Sequence, residues 1–182
     1  EYYHSDRYTL KTGYRFILHR FKPGKSTYKE NLPDATAINQ KYNDHTLTSF
    51  ENTLYAENHL GIGKYLRFNL GARLTAYHNK SANYFSLEPR FVGRYMLTPN
   101  LSIKSAYSLM HQHVHLMNFP GFSLPNSDIW IPTTGNIKPE RSSQAALGLS
   151  YSSSNRMYEA TLESYYKTMY NLTALPGGTS FR

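Results

Sequence analysis

The most regular feature of the chain is an alternation of apolar and polar residues with a period of two. In the segment 65–77, every second residue from Leu66 to Ala76 is apolar, whereas the intervening positions include Arg67 and Arg73. A helix would scatter these two sets around its axis, whereas a strand places them on opposite faces. The pattern therefore predicts a β-strand with one apolar and one polar face.

Six further segments show the same alternation less strictly. They are 8–20, 48–57, 85–96, 101–109, 143–151 and 157–167. Pro89 falls on the apolar side of its segment and should weaken the ladder there, because it has no amide hydrogen to donate. The chain thus predicts about seven strands, most of them near the ~9–11 residues with which a tilted strand crosses a bilayer.

The predicted connections alternate in length along the chain. The segment 21–45 is long and polar, 112–140 is the longest and 78–84 is of intermediate length, whereas 58–64, 97–100 and 152–156 are short. An antiparallel up-and-down sheet gives this alternation when the turns at one rim are tight and those at the other are free to lengthen.

The polar face of the predicted sheet favours a membrane barrel over a soluble sheet. It carries the charged residues Arg67, Arg73, Arg90, Arg94, Glu51, Glu57, Glu88 and Lys104. A membrane barrel turns its apolar face to lipid and its polar face to the lumen, whereas a soluble sandwich buries its apolar faces in a shared core. The predicted strands are also longer than the ~5–6 residues usual in globular proteins.

Aromatic residues gather near the ends of the predicted strands. They are Tyr65, Tyr77, Tyr84, Phe85, Tyr95, Tyr107, Tyr151 and Tyr158. Such rings suit the aromatic belts at the two membrane interfaces, where the ring lies in acyl chain and the hydroxyl reaches the headgroups. On a soluble sheet the same residues would form cross-strand pairs.

Composition removes several functional classes. The chain has 182 residues, a formal charge of +8 and no cysteine, which excludes disulfides, zinc-thiolate sites and thiol nucleophiles. It contains no apolar run long enough for a transmembrane helix. Lysine and arginine are scattered among glutamates rather than clustered, which argues against a nucleic-acid partner.

About seven strands are too few to close most membrane barrels, because an open edge in lipid leaves backbone groups unpaired. We therefore expect residues 1–182 to form a single partial β-barrel domain that continues beyond both ends.

Three stretches of the chain are similar to motifs of a known family. The first is Leu-Tyr-Ala-Glu-Asn at 54–58 followed by Leu-Gly-Ala-Arg-Leu at 70–74. The second is Leu-Glu-Pro-Arg-Phe at 87–91 leading to Leu-Thr-Pro-Asn-Leu-Ser at 97–102. The third is Asn-Ile-Lys-Pro-Glu-Arg-Ser-Ser-Gln at 136–144. In these motifs and in their order along the chain, the sequence resembles the barrel of the TonB-dependent outer-membrane receptors, especially those of the Bacteroidetes type.

The resemblance implies an all-β, antiparallel up-and-down transmembrane barrel of about 22 strands, plugged by an N-terminal domain. It implies a receptor in the bacterial outer membrane that takes up a scarce nutrient such as a metal chelate, cobalamin or a glycan. The partners it implies are outer-membrane lipid, a small nutrient ligand and a TonB-type energising protein. It implies neither a cofactor nor an enzymatic reaction.

His111, His113 and His115 stand at every second position near the end of a predicted strand. On a strand this spacing places three imidazoles on one face, about 6.5–7 Å apart. Imidazole suits Zn, Cu, Ni and Fe, so the run is a candidate contact for a metal or metal chelate at the pore mouth. The alternative is a polar run that only faces the lumen.

The longest connection holds Phe119, Phe122 and Trp130, which is the only tryptophan. Aromatic rings on a long loop suit ligand capture, because they stack on sugars or flat chelates. The alternative is that they pack among themselves and hold the loop down.

The expected lumen charges are Arg67, Arg73, Glu88, Arg90 and Arg94. They could bind an anionic ligand in transit, or they could pair with each other or with a plug. No nucleophile stands beside a base and an orienting group in the sequence, so no catalytic residue is assigned. Two other functions remain open, a soluble or surface glycan-binding β-sheet module and a passive porin.

Overall fold

A computed structural model describes residues 2–5, 7–22, 26–30, 38–42, 46–117 and 129–173. All regular structure in these ranges is β-strand, and every strand pair is antiparallel. None of the described residues belongs to a helix that is long and apolar enough to cross a membrane.

Twelve strands follow one another within the described residues. They are β1 (Tyr2–Ser5), β2 (Tyr8–Phe21), β3 (Ser26–Glu30), β4 (Ile38–Tyr42), β5 (Leu47–Ile62), β6 (Leu66–Asn79), β7 (Asn83–Thr98), β8 (Leu101–Gln112), β9 (Val114–Met117), β10 (Ile129–Pro132), β11 (Glu140–Ser152) and β12 (Glu159–Tyr170).

Eight of these strands form one open sheet in the order β1-β2-β5-β6-β7-β8-β11-β12. Each long strand pairs with the next long strand in the sequence, which is the predicted up-and-down arrangement. The seven predicted strands are confirmed as β2, β5, β6, β7, β8, β11 and β12, and the short β1 adds an eighth. Within the described part of the chain the sheet does not close on itself, and β1 and β12 are its edges.

The two long connections contain short hairpins that the sequence did not predict. The connection between β2 and β5 contains the hairpin β3–β4, and the connection between β8 and β11 contains the hairpin β9–β10. Both hairpins lie at the same rim of the sheet, here called the long-loop rim. The opposite, short-turn rim has the tight turns after β5, β7 and β11, and Gly63 supplies a positive φ of 62° in the first of these.

The strand register brings the apolar residues of all seven predicted strands onto one face. Leu70 pairs with Phe91, Phe91 pairs with Tyr107, and Tyr107 pairs with Ala145. Directly opposed residues in an antiparallel pair point to the same side. The alternation found in each separate segment therefore combines into one continuous apolar face.

This apolar face is open, and nothing in the described part of the chain covers it. Leu70 is 46% exposed, Phe85 is 69% exposed and Leu162 is 72% exposed. Tyr77 is the only buried hydrophobic side chain among the described residues, and it belongs to the opposite, polar face. The described part of the chain thus has no apolar core of the kind that a soluble sandwich encloses.

Two of the expected belt tyrosines lie elsewhere. Tyr77 and Tyr84 pair with each other across β6 and β7 on the polar face, and Tyr77 is only 1% exposed. Their hydroxyls bond to the segment that follows β10. Tyr77 and Tyr84 were assigned to a belt because they lie near strand ends. The period of two, however, assigns both residues to the polar face.

Candidate functional site

The segment around β9 and β10 folds back over the polar face at the long-loop rim. The backbone oxygen of Thr133 accepts a hydrogen bond from the Tyr77 hydroxyl at 3.2 Å and another from the Asn79 side-chain amide. The Tyr84 hydroxyl donates to the backbone oxygen of Thr134 at 2.8 Å. Since Thr133 is completely buried, these bonds hold the segment tightly on the sheet.

The three histidines predicted to share one strand face each contact a different residue. β8 ends before His113, so the three residues do not share one strand. His113 stacks on the Tyr77 ring with centroids 4.9 Å apart. His111 Nδ1 lies 3.8 Å from a carboxylate oxygen of Glu88.

His115 fixes the hairpin from its buried side. Its Nε2 lies 3.0 Å from the Thr133 hydroxyl, and its Nδ1 lies 3.3 Å from a carboxylate oxygen of Glu140. No group of three or more histidine, cysteine, aspartate or glutamate side chains in the described part of the chain is arranged to hold a metal ion.

His113 is the most strongly perturbed of these histidines. Burial lowers its pKa to about 4, and repulsion from His111, His115 and His19 contributes in the same direction. A histidine with this pKa is neutral at pH 7. Its Nε2 is buried and has no hydrogen-bond partner among the described residues, so the hairpin leaves one polar atom unsatisfied beneath it.

Glu88 fills a gap between two strands of the sheet. The pairing of β7 with β8 runs only as far as Arg90, next to Pro89, whereas the pairing of β7 with β6 continues past the proline. This matches the predicted weakness of the ladder at Pro89. A Glu88 carboxylate oxygen accepts a hydrogen bond from the backbone N–H of His111 at 3.0 Å, and Arg73 Nη1 lies 3.6 Å from the other oxygen.

The exposed side of the β9–β10 hairpin presents Trp130. Trp130 pairs with Leu116 across the hairpin, and the two side chains are 53% and 44% exposed. An exposed tryptophan beside an apolar neighbour offers a flat surface for stacking. Phe119 and Phe122, which the sequence grouped with Trp130, lie outside the described residues.

The five expected lumen charges all lie on the polar face. Arg73 pairs with Glu88, Arg67 pairs with Arg94, and Arg90 lies opposite Gly71. Only Arg73 among the four arginines has a carboxylate within ion-pair distance in the described part of the chain. The set therefore divides into one paired site near the long-loop rim and a group of cations nearer the short-turn rim.

Of the residues that anchor the hairpin, the sequence offered His115 as a candidate site residue but not Asn79, Thr133 or Glu140. Asn79 and Thr133 belong to no motif, and Glu140 belongs to the stretch 136–144, which was quoted only for the family resemblance. The period of two places Tyr77 and Asn79 on the polar face, which was the one available signal. The fold-back of β9 and β10 that gives them partners is a tertiary contact without a local pattern.

Comparison with known proteins gives one match. The family model described as TonB dependent receptor-like, beta-barrel matches residues 2–181. No curated protein and no solved structure matches the chain.

Proposed function

Because the chain belongs to the family of TonB-dependent receptor β-barrels, we propose that it forms part of the wall of a receptor that imports a scarce nutrient. The family is one of outer-membrane transport proteins of Gram-negative bacteria, and it is not a family of enzymes. The nutrient classes we propose are metal chelates, cobalamin and glycans.

One observation supports this proposal most strongly, the exposed apolar face opposite a polar face that carries charge. Large apolar patches are rare on soluble proteins, whose largest patch is about 300–600 Å². A face on which Leu54, Leu87 and Leu147 are each more than half exposed is expected where the solvent is hydrocarbon. This disfavours a soluble glycan-binding module.

For ligand capture we propose the long-loop rim. Trp130 supplies an exposed ring on a hairpin that is fixed to the wall where His115 meets Glu140 and where Thr133 meets Tyr77. The ring is therefore presented with little conformational freedom to lose on binding. We propose that His111, His113, Phe119 and Phe122 belong to the same capture region. Stacking suits a flat chelate or a sugar ring equally.

For the remaining parts of the receptor we propose the arrangement that the sequence resemblance implies. The complete barrel would have about 22 strands, a plug domain and a segment that contacts a TonB-type energising protein. The stretches at 54–74, 87–102 and 136–144 support an assignment to the Bacteroidetes type.

Uptake in cells tests this function. A strain that lacks the receptor is supplied with a ferric chelate, cobalamin or an oligosaccharide as the only limiting source of that nutrient. We expect growth on at least one of them to be lost and to be restored by the full-length gene. Unchanged growth on all three would contradict the proposal.

A second measurement separates the receptor from a passive porin. Uptake by an energised receptor stops when a protonophore dissipates the membrane potential, whereas passive flux continues. We expect uptake of the limiting nutrient to stop. Uptake that persists would favour the porin.

A further inference from the structure

Three cations stand side by side on the polar face near the short-turn rim. Arg67 of β6 is directly opposite Arg94 of β7, and Arg94 is directly opposite Lys104 of β8. We call these three residues the cation row. All three side chains are exposed, and their strands are neighbours spaced about 4.7–4.9 Å apart.

Both neighbours of the cation row in the same register are glycines. Arg67 lies opposite Gly61 on β5, and Lys104 lies opposite Gly148 on β11. The strands that flank the row therefore place no carboxylate beside it. Glu163 stands on the next strand, opposite Gly148, and its side chain lies over Gly148, with Oε1 3.8 Å from the place that a Cβ on Gly148 would occupy. No ion pair joins it to Lys104 within the described residues.

Like charges directly opposite each other destabilise a sheet. Two other charges on this face have partners, since Arg73 lies near Glu88 and Glu57 accepts a hydrogen bond from Asn69 at 2.7 Å. The part of the chain that the structure describes provides no such compensation for the cation row. The row thus has positive charge available for a ligand.

Hydroxyl groups lie next to two of the cations. Ser102, Ser150 and Thr161 are in register on β8, β11 and β12, and with Arg94 and Lys104 they line a concavity of about 280 Å³. Glu159 also lines it, so the concavity is cationic at one end and carries one carboxylate at the other.

We propose that the cation row and this concavity bind a small solute that carries two or more carboxylate or phosphate groups. The row spans two inter-strand spacings, or about 10 Å, so one compact monoanion could not neutralise it. Arginine and lysine form strong charge-assisted hydrogen bonds with both kinds of group, and arginine can bind either one in a bidentate way. The proposal rests on the proposed function, which it deepens by making the imported ligand a polyanion.

Calorimetry on the purified full-length receptor in detergent tests the site. The probes are citrate, which carries carboxylates, and pyrophosphate, which carries phosphates, each titrated at low and at high salt. The test variant combines Arg67→Gln, Arg94→Gln and Lys104→Gln. The control is Lys167→Gln, which removes a cation from the same face on β12, outside the row.

We expect saturable binding of at least one probe that weakens with salt. The triple variant should bind about tenfold more weakly or worse, whereas Lys167→Gln should stay within about twofold of the unmodified receptor. Heat-modifiable migration on gels checks that each variant is folded. If the triple variant is not folded, the single variant Arg94→Gln replaces it as the test variant.

Equal binding by the triple variant would overturn the proposal. Absence of saturable binding by the unmodified receptor would do the same, because the row would then be neutralised by the protein itself. Calorimetry does not depend on transport, so the two proposals can fail separately. The growth assay can contradict the proposed function while calorimetry still finds this site. Calorimetry can equally find no site in a receptor that supports growth.

Discussion

Thr133 and Tyr77 show how single residues fix a loop to the wall of the sheet. The peptide oxygen of Thr133 is buried beneath the hairpin and accepts hydrogen bonds from two side chains of β6. A buried carbonyl that lost these donors would carry a desolvation cost. The docking of the segment after β10 therefore depends on a few polar contacts rather than on apolar packing.

Removal of the Tyr77 hydroxyl should loosen this segment. Tyr77→Phe retains the ring that stacks on His113 but deletes the 3.2 Å bond to Thr133, at an expected cost of about 0.5–1.5 kcal/mol. Amide hydrogen exchange in β9 and β10 should become faster. Tyr95→Phe is the control, since Tyr95 is 46% exposed on the apolar face. Equal exchange in the two variants would contradict the anchoring role.

Acid should release the same hairpin through His113. Its pKa in the folded state is about 4, below the ordinary 6.5, so the undocked state binds the proton first. The contribution of neutral His113 to the docking of the hairpin is therefore complete above pH 6.5, and it is lost as the pH falls towards 4. Fluorescence of Trp130, with Trp130→Phe as the blank, should change across this window, and the change should disappear in His113→Phe. If the fluorescence transition persists in His113→Phe, then groups other than His113 cause it.

At the level of single residues, the sequence predicted on which face of the sheet a side chain lies, but it did not predict which residues that side chain contacts. The period of two placed Arg73, Glu88 and Tyr77 on the polar face, where the structure has them. It contained no information on which of them would be covered by the fold-back of residues 129–134. Spacing alone also suggested three imidazoles on one strand face, whereas β8 ends at Gln112 and His113 lies between β8 and β9.

The gap between β7 and β8 shows how a side chain substitutes for a missing ladder at the scale of an element. Pro89 cannot donate a hydrogen bond, and the pairing with β8 ends beside it. The carboxylate of Glu88 then accepts the His111 amide hydrogen that a backbone carbonyl would otherwise accept. The two strands stay linked, although the ladder between them has stopped.

Substitution of Glu88 should test this link. Glu88→Ala leaves the His111 amide and Arg73 without their acceptor, and we expect a loss of about 1–3 kcal/mol. Glu88→Gln keeps an oxygen that can accept from the amide and should lose less. Urea titration of the receptor in lipid vesicles measures both changes. Equal losses in the two variants would mean that the hydrogen bond to His111 contributes nothing.

The elements that the sequence missed are the short ones. β3 and β4 have five residues each, and β9 and β10 have four each, so alternation is hard to recognise in them. β9 and β10 are largely apolar, but four residues do not define a period. The long strands were predictable because each has an apolar face that repeats over many residues.

At the scale of the whole molecule the apolar sets of seven strands form one surface. Leu70 is central in it, with Asn58 on one side and Phe91 on the other. Leu70→Arg should impair insertion by about 2–4 kcal/mol if this position lies at the bilayer midplane. Asn69→Arg is the matched control, since its side chain lies on the polar face near Glu57. Equal losses in a lipid folding assay would contradict the assigned faces.

The most direct test of the account is a cysteine scan of β6 in the membrane. The chain contains no cysteine, so each substitution along β6 between Leu66 and Ala76 introduces a single thiol into it. A fluorophore on each thiol is then exposed to lipids with brominated acyl chains and to a water-soluble quencher. We expect the acyl-chain quencher to act at Leu66, Phe68, Leu70, Ala72, Leu74 and Ala76, and the aqueous quencher to act at the positions between them. Quenching without a period of two, or with the two sets exchanged, would contradict the claim that the apolar face meets lipid.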